Sequence, residues 1–167
     1  MKKRAARTKG GTKPDALEIL ELEHRRFETL LAQGAATTER ATKRRREVLD
    51  RLVSELAAHE WMEEHVLYPA LLSYSHTRET LTEGVHEHDS AENLAKELTA
   101  ISTDDAQWGV RFMALRENLQ HHMDHEEKHL FPVARGIFSR QQLRDLAEQM
   151  LASRPQPRPA ARKSARR

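Results

Sequence analysis

The chain contains no cysteine among its 167 residues, which excludes disulfides, thiolate zinc sites and iron–sulfur clusters. It also lacks any apolar run approaching the roughly 20 residues of a membrane helix. The basic N-terminal sequence is not followed by the apolar segment of a secretory signal. We therefore expect a soluble, cytoplasmic protein with no membrane association, in which nitrogen and oxygen atoms would hold any metal ion.

Charge is distributed unevenly along the chain. The formal net charge is +2, yet residues 1–13 and residues 153–167 each carry six Lys/Arg and no acidic residue. All 26 Asp/Glu lie in residues 14–152, with the remaining 16 Lys/Arg. Because segments with one sign of charge and few apolar residues cannot repay their ordering entropy, we predict two disordered basic tails, 1–13 and 153–167, around one domain at 14–152.

Helix signals dominate that domain. Glycine and proline are scarce, with six of each in the whole chain, while apolar residues recur at helical spacing. We predict four long helices and a short fifth: from Pro14 and Asp15 to Gly34, then about 38–72, 79–101, 105–133 and 141–151, with Asp104 or Asp105 capping the fourth. Short connections make this an all-α, up-down-up-down antiparallel four-helix bundle, with Pro69 bending or ending the second helix.

An internal repeat carries the chemistry. The pattern H-x-x-x-E-E-x-x-L-[YF]-P begins at His59 and again at His122. A histidine and a glutamate four residues apart share one helical face, and the apolar stripes place both His59–Glu63 and His122–Glu126 on the inward face. Buried imidazoles and carboxylates without partners cost several kcal/mol each. Bound metal ions would compensate the buried charges. The alternative is that both pairs are exposed and only stabilise their helices, but two copies that both lie on apolar stripes make this a poor explanation.

The same test of helical faces selects one histidine on each remaining long helix. His24 lies in register with the apolar residues of the first helix, and His88 with those of the third, whereas His86 falls on the opposite side. His129 also lies on the inward stripe, either near the ligands or as packing at the end of the bundle. The other histidines are predicted at the surface: His65, His76, His121 and His125.

These residues make the chain resemble the hemerythrin-like, or HHE cation-binding, domain. The resemblance is carried by His24, His59-x-x-x-Glu63, His88 and His122-x-x-x-Glu126. It implies a four-helix bundle with a non-haem di-iron centre, in which Glu63 and Glu126 bridge the two ions. Glu60 matches an extra carboxylate ligand of the iron-sensing F-box member of this family.

The chain departs from oxygen-carrying hemerythrins. Those proteins have two histidines four apart on the third helix, whereas Gly84 and Glu92 flank His88 here. The pattern is more similar to a subgroup linked to iron sensing and to handling of oxygen, nitric oxide or peroxide. Whether the protein is an enzyme stays open, and the donor types also suit zinc or manganese.

Three other interpretations remain. Ferritin-like di-iron proteins use Glu-x-x-His, and the three copies here, at Glu21, Glu83 and Glu126, lie on the wrong helices or partly on outward faces. A second interpretation is a binding module whose basic tails hold nucleic acid or an acidic partner, with the bundle as a sensor or scaffold. A third is a metal-free bundle that acts only in protein interaction.

Overall fold

A computed structural model describes residues 13–155, and every regular element in that range is a helix. The helices are α1 Ala16–Ala35, α2 Thr42–Met62, α3 Tyr68–Leu71, α4 Arg78–Ala100, α5 Trp108–His125, α6 Phe131–Ile137 and α7 Arg140–Ser153. The predicted all-α class is confirmed. No helix in the described range is long and apolar enough to cross a membrane. The predicted disordered tails lie largely outside the described residues.

Local sequence signals set several helix boundaries. Asp15 caps α1 in a capping box with Glu18, at the position where the sequence predicted the start of the first helix. The fourth long helix, by contrast, starts at Trp108 and not beside Asp104 or Asp105. Asp105 instead accepts a hydrogen bond from the Gln107 backbone N–H, and its own carbonyl accepts one from Trp108. The Asp side chain therefore stabilises a turn before the helix.

Two wide π-helical turns interrupt the long helices predicted at 38–72 and 105–133. They span Glu63–Leu67 and Glu126–Leu130, where the N–H of Tyr68 bonds to the carbonyl of Glu63 and that of Phe131 to Glu126. The prolines of the repeat come next and have no N–H to donate to the carbonyl four residues back. Each wide turn thus begins at the glutamate of the repeat, and the helix continues beyond it as α3 or α6.

Two apolar clusters enclose a layer of buried polar residues. On α1, Leu20 belongs to one cluster, Phe27 to the other, and His24 lies between them. The order of the two clusters reverses on α2, reverses again on α4, and reverses once more along α5 and its continuation into α6. This alternation agrees with the predicted up-down-up-down arrangement, and α7 packs beside α1.

Candidate metal centre

Six histidine and glutamate side chains converge in the polar layer. None is more than 3% exposed. They are His24, His59, Glu63, His88, His122 and Glu126. Four different long helices, or the wide turns that continue them, supply these side chains, so the folded bundle is required to bring them together.

The six side chains form two donor groups that share one carboxylate. Donor atoms of His24, His59, Glu63 and Glu126 lie within 4.8 Å of one another, and so do those of Glu63, His88 and His122. An imidazole nitrogen and a carboxylate oxygen are both ligands for divalent iron, zinc or manganese. The arrangement therefore offers two adjacent metal positions with Glu63 common to both.

Glu63 faces both positions through its two oxygens. Oε1 lies 3.2 Å from Nε2 of His59, and Oε2 lies 3.3 Å from Nε2 of His88. Glu126 directs a single oxygen at both sides: Oε2 lies 3.3 Å from His24 Nε2 and 3.5 Å from His122 Nε2. Both carboxylates thus stand where a bridging ligand would stand.

Each of the four histidines turns Nε2 inward and offers Nδ1 to an outer carboxylate. The Nδ1–oxygen distances are 2.8 Å for His24–Glu127, 3.0 Å for His59–Glu23, 2.8 Å for His88–Glu64 and 3.1 Å for His122–Glu87. A carboxylate only accepts, so Nδ1 carries the proton and the Nε2 lone pair is free for a cation. Such outer carboxylates orient metal-binding imidazoles and make them more basic.

The outer carboxylates link the helices in a closed ring. Glu23 on α1 holds the histidine of α2, and Glu64, just after α2, holds that of α4. Glu87 on α4 holds the histidine of α5, and Glu127, just after α5, returns to that of α1. Every histidine is therefore oriented by the helix or turn that precedes it in the ring.

Basic side chains outside the ring contact three of these carboxylates. Arg154 lies 2.5 Å from Glu23, Arg25 pairs with Glu127, and His125 lies 3.2 Å from Glu87. The predicted C-terminal tail 153–167 thus includes a residue, Arg154, that packs against the outer side of the centre, and its first residue, Ser153, ends α7. These contacts hold the carboxylates in place from the solvent side.

The inward atoms fit a metal ion better than they fit one another. Both oxygens of Glu63, Oε2 of Glu126 and Nε2 of His88 and His122 are buried and have no hydrogen-bond partner. Moreover, His24 Nε2 and His59 Nε2 point at each other across 3.2 Å. Buried polar atoms that crowd together without bonding are costly, and cations between them would remove that cost.

Comparison with known proteins points the same way. Residues 15–134 match the model of the hemerythrin HHE cation-binding domain. The chain belongs to this family. Its fold is also similar to the crystal structure of a hemerythrin HHE cation-binding domain-containing protein from Mycobacterium kansasii, an Rv2633c homolog, with a TM-score of 0.74 and 22% identity over 84% of this chain and 85% of that one. No curated protein matches the chain significantly.

Burial and ion pairing set the protonation of this HHE centre without metal. Burial lowers the pKa of His59, but Glu63 and Glu23 outweigh it and raise the pKa to about 10. Burial likewise opposes protonation of His88, and Glu63 raises its pKa to about 9. Burial raises the pKa of Glu63, yet the two imidazoles hold it well below its usual range. Without metal, protons on the imidazoles therefore balance the negative charge of the buried carboxylates, as metal ions would in the loaded HHE site.

Tyr68 makes the two halves of the HHE centre different. Its hydroxyl donates a 3.0 Å hydrogen bond to Oε1 of Glu126, and its ring stacks on His88. The equivalent residue of the second repeat, Phe131, stacks on His24 but has no hydroxyl. Gly84 leaves the space that Tyr68 fills, since a Cβ there would lie 2.6 Å from the hydroxyl oxygen.

Glu60 lies beside the two donor groups and belongs to neither. Burial raises the pKa of its carboxyl to about 7, and one buried oxygen has no hydrogen-bond partner. The carboxyl is therefore held between its neutral and ionised forms at physiological pH. The ligand role expected for Glu60 stays a prediction.

The remaining histidines are distributed largely as the sequence indicated. His86 is exposed while its neighbour His88 is buried, and His65, His76 and His121 are exposed. His125 is largely covered and contacts Glu87. His129, for which an inward position had been considered, is exposed, because the wide turn after Glu126 shifts the following residues around the helix.

The outer carboxylates were not predicted from the sequence, although it contains a signal for them. Glu64 and Glu127 are the second glutamates of the repeated Glu-Glu pair, and Glu23 and Glu87 immediately precede His24 and His88. Extended in this way, the internal repeat reads Glu-His followed by H-x-x-x-E-E. Each half of the HHE domain thus encodes two inward histidines, one inward glutamate and two outer carboxylates that contact histidines.

Proposed function

We propose that this protein binds two iron ions and uses them to bind, sense or react with oxygen, nitric oxide or peroxide, in a role linked to iron homeostasis. The observation that carries the proposal is the shared Glu63, whose two oxygens face the donor groups of both metal positions. A single-ion site would need no carboxylate held between two sets of imidazoles. Family membership supports a cation-binding role.

The ligand count supports a reactive centre. His24 and His59 serve one position, and His88 and His122 serve the other, with two carboxylates between them. Even with both carboxylates bridging, each ion would have four protein ligands, which is fewer than the six that iron commonly takes. A reduced iron pair would supply electrons and open positions for a small diatomic molecule or peroxide. Zinc and manganese fit the same donors, so iron rests on the family resemblance.

The protein's own groups shape what happens at this centre. The two apolar clusters close over the polar layer and limit the entry of water. The Tyr68 hydroxyl donates to the free oxygen of Glu126 and helps fix that carboxylate. Without metal, burial raises the pKa of the Glu60 carboxyl to about 7, and cations bound beside it would lower that pKa and favour the carboxylate. Tyr68 and Glu60 thus both lie near His88, on the side of the second iron position.

Metal analysis of matched variants tests the proposal. We expect the protein reconstituted with Fe²⁺ to hold two irons per chain, and His59→Ala/Glu63→Ala to hold none while far-ultraviolet circular dichroism shows unchanged helicity. The control, His86→Ala/Glu92→Ala, removes an exposed histidine and an exposed glutamate from α4 and should keep both irons. Full iron retention in the first variant would refute the assignment.

Spectroscopy tests the reactivity. The absorption spectrum of the iron-loaded protein should change on reduction, and the reduced form should change again with oxygen, nitric oxide or hydrogen peroxide. A loaded centre whose spectrum responds to none of the three would contradict the proposed reactivity and leave a structural metal site.

A second proposal concerns the basic tails. Twelve Lys/Arg without any acidic residue lie in residues 1–13 and 153–167, which favours contact with nucleic acid or an acidic partner. Binding to DNA or RNA that weakens with salt and disappears when both tails are deleted would support it. Equal binding by the tail-deleted chain would contradict it. The cytoplasmic location stays a prediction.

A further inference from the structure

Helix α7 lies outside the part of the chain that matches the family model, yet it lies beside the metal centre. The match ends at residue 134, whereas α7 spans Arg140–Ser153. The buried residues of α7 belong to the same apolar cluster as the first half of α1, and the two helices pack together. This apolar contact fixes the end of α7 beside the helix that carries His24.

The sequence after α7 turns an arginine toward α1. Pro155 cannot continue a helix, and it disfavours helical backbone angles in the residue before it. Arg154 accordingly has φ −54° and ψ 125° and caps the helix. Its side chain is only 23% exposed and contacts Glu23 of α1. The end of α7 therefore supplies a partly buried guanidinium to the outer side of the metal centre.

Glu23 contacts this arginine with one oxygen and a histidine of the centre with the other. Its Oε1 lies 2.5 Å from Nη1 of Arg154, and its Oε2 lies 3.0 Å from Nδ1 of His59. The Glu23 side chain is 5% exposed, and a buried carboxylate is costly unless it is paired. The guanidinium compensates the charge from outside. Without it, water would reach Oε1 and the carboxylate could rotate away from His59.

Burial distinguishes Arg154 from the other arginine in the ring of outer carboxylates. Arg25 contacts Glu127, but the two side chains are 52% and 29% exposed. Ion pairs that are open to solvent contribute little. The Arg154–Glu23 pair is better covered on both sides, so its loss should be felt more strongly by the histidine behind it.

No arginine stands behind the second metal position, that of His88 and His122. Among residues 13–155, Glu64 pairs only with His88 and is 38% exposed. In the same range, Glu87 pairs only with histidines. An ion at the second position therefore has no direct link to α7, and it serves as an internal control for an effect of Arg154.

We propose that Arg154 is a positioning residue for the first metal position, that of His24 and His59. Through Glu23 it holds the His59 ring in the orientation that binds an ion, and it makes α7 a fifth helical part of the centre. The effect on ion affinity rests on the proposed two-metal function, whereas the hold on His59 does not.

The direction of the effect separates positioning from charge alone. A guanidinium repels a metal ion, so its removal would strengthen ion binding if charge were all that mattered. Loss of a positioned ligand weakens binding instead. A general loosening of the bundle would weaken both ions alike, whereas positioning through Glu23 weakens one.

Competition between the full chain and a chelator for Zn²⁺ tests the proposal. In Arg154→Gln we expect one of the two ions to bind about tenfold more weakly, near the lower end of the range for the loss of a group that orients a ligand histidine. The other ion should be unchanged. Arg154→Lys keeps the charge and should restore most of the affinity. The matched control, Arg140→Gln, alters an exposed arginine of the same helix and should have no effect.

A double-mutant cycle tests whether Arg154 acts through Glu23. Glu23→Ala should weaken the same ion, and Arg154→Gln should then cause no further loss. Additive effects would overturn the proposal, as would stronger binding in Arg154→Gln or equal weakening of both ions.

Hydrogen exchange of the His59 ring N–H, followed by nuclear magnetic resonance, tests the hold on this residue without metal. Exchange should be several times faster in Arg154→Gln than in the unchanged protein, Arg154→Lys and Arg140→Gln. Equal exchange in all four proteins would overturn the positioning role. If the unchanged protein binds no ions but Arg154→Gln still speeds exchange, the two-metal function falls and the positioning of His59 stands.

Discussion

The Tyr68 hydroxyl lies 3.0 Å from Oε1 of Glu126 and donates a hydrogen bond to it inside the protein. The two residues are 58 positions apart, and each begins or follows a wide turn of one repeat copy. This bond joins the second half of the internal repeat to the first at the level of the metal positions. The donor also makes Glu126 unlike Glu63, both of whose oxygens have no such partner.

Tyr68→Phe should destabilise the metal-free protein by about 1–3 kcal/mol, because it leaves a buried carboxylate oxygen without its donor. Phenylalanine already occupies the equivalent position at Phe131, so the ring itself should be accommodated. Urea unfolding measures the change, and Tyr74→Phe, at a residue 36% exposed, serves as the control. A loss no larger than that of the control would contradict the role given to the hydroxyl.

Gly84→Ala should cost about 1–3 kcal/mol through overpacking, since the new methyl group would lie 2.6 Å from the Tyr68 hydroxyl oxygen and 3.2 Å from its ring carbon. The cost should shrink when Tyr68→Phe is also present, because the nearest clashing atom is then gone. A double-mutant cycle of unfolding free energies measures this coupling. Strictly additive effects would show that the two residues do not meet.

Glu127→Ala should lower the affinity for the inner ions by about 10–100-fold, as expected when an orienting carboxylate is removed from a ligand histidine. His24 would keep its place on α1 but lose the partner of its Nδ1. Competition with a chelator of known affinity gives the change, and Glu117→Ala, at an exposed residue of α5, is the control. Unchanged affinity in Glu127→Ala would show that the outer ring does not support the ligands.

The metal-free protein should lose stability as the pH rises from 6.5 to 10. The pKa values of His59 and His88 are raised from 6.5 to about 10 and about 9, so their contribution is complete below pH 6.5 and disappears as pH passes the folded values. Glu63 acts oppositely, because its pKa is lowered, and its contribution is lost only on acidification below pH 4.5.

Urea unfolding at pH 6.5 and pH 10 measures this dependence. The metal-loaded protein should show a weaker decline, because ions and not protons then neutralise the centre. His59→Ala without metal should also decline less. Stability of the metal-free protein that is constant or increasing over this interval would contradict the protonated empty centre.

The six inward residues followed from the sequence because each lies on an apolar stripe. His88 and His86 illustrate the power of this test: they are two positions apart, and the structure buries the first and exposes the second. The test treats one helix at a time, however. Glu64 and Glu127 are next to inward glutamates and were passed over, since nothing within their own helix shows that a histidine on another helix reaches them.

The inward position of Tyr68 was not predicted, for a different reason. Residues five apart in an α-helix are separated by about 140°, so Tyr68 should face away from Glu63. The i→i+5 bond between them turns residue 68 back toward the same side. Only the start of the wide turn at a repeated glutamate, followed by a repeated proline, could have indicated this change. The start of α5 was missed because Asp105 stabilises a turn with the same chemistry that caps helices.

The closed ring of carboxylate–histidine contacts has a mechanical consequence. Sliding or tilting one helix would pull the imidazole it carries away from its orienting partner and, at the same time, withdraw its own carboxylate from the next. No single helix can therefore move outward and release a bound ion without breaking contacts to both neighbouring helices. We expect ion release to be coupled to unfolding of the bundle, so that bound ions stabilise the whole fold.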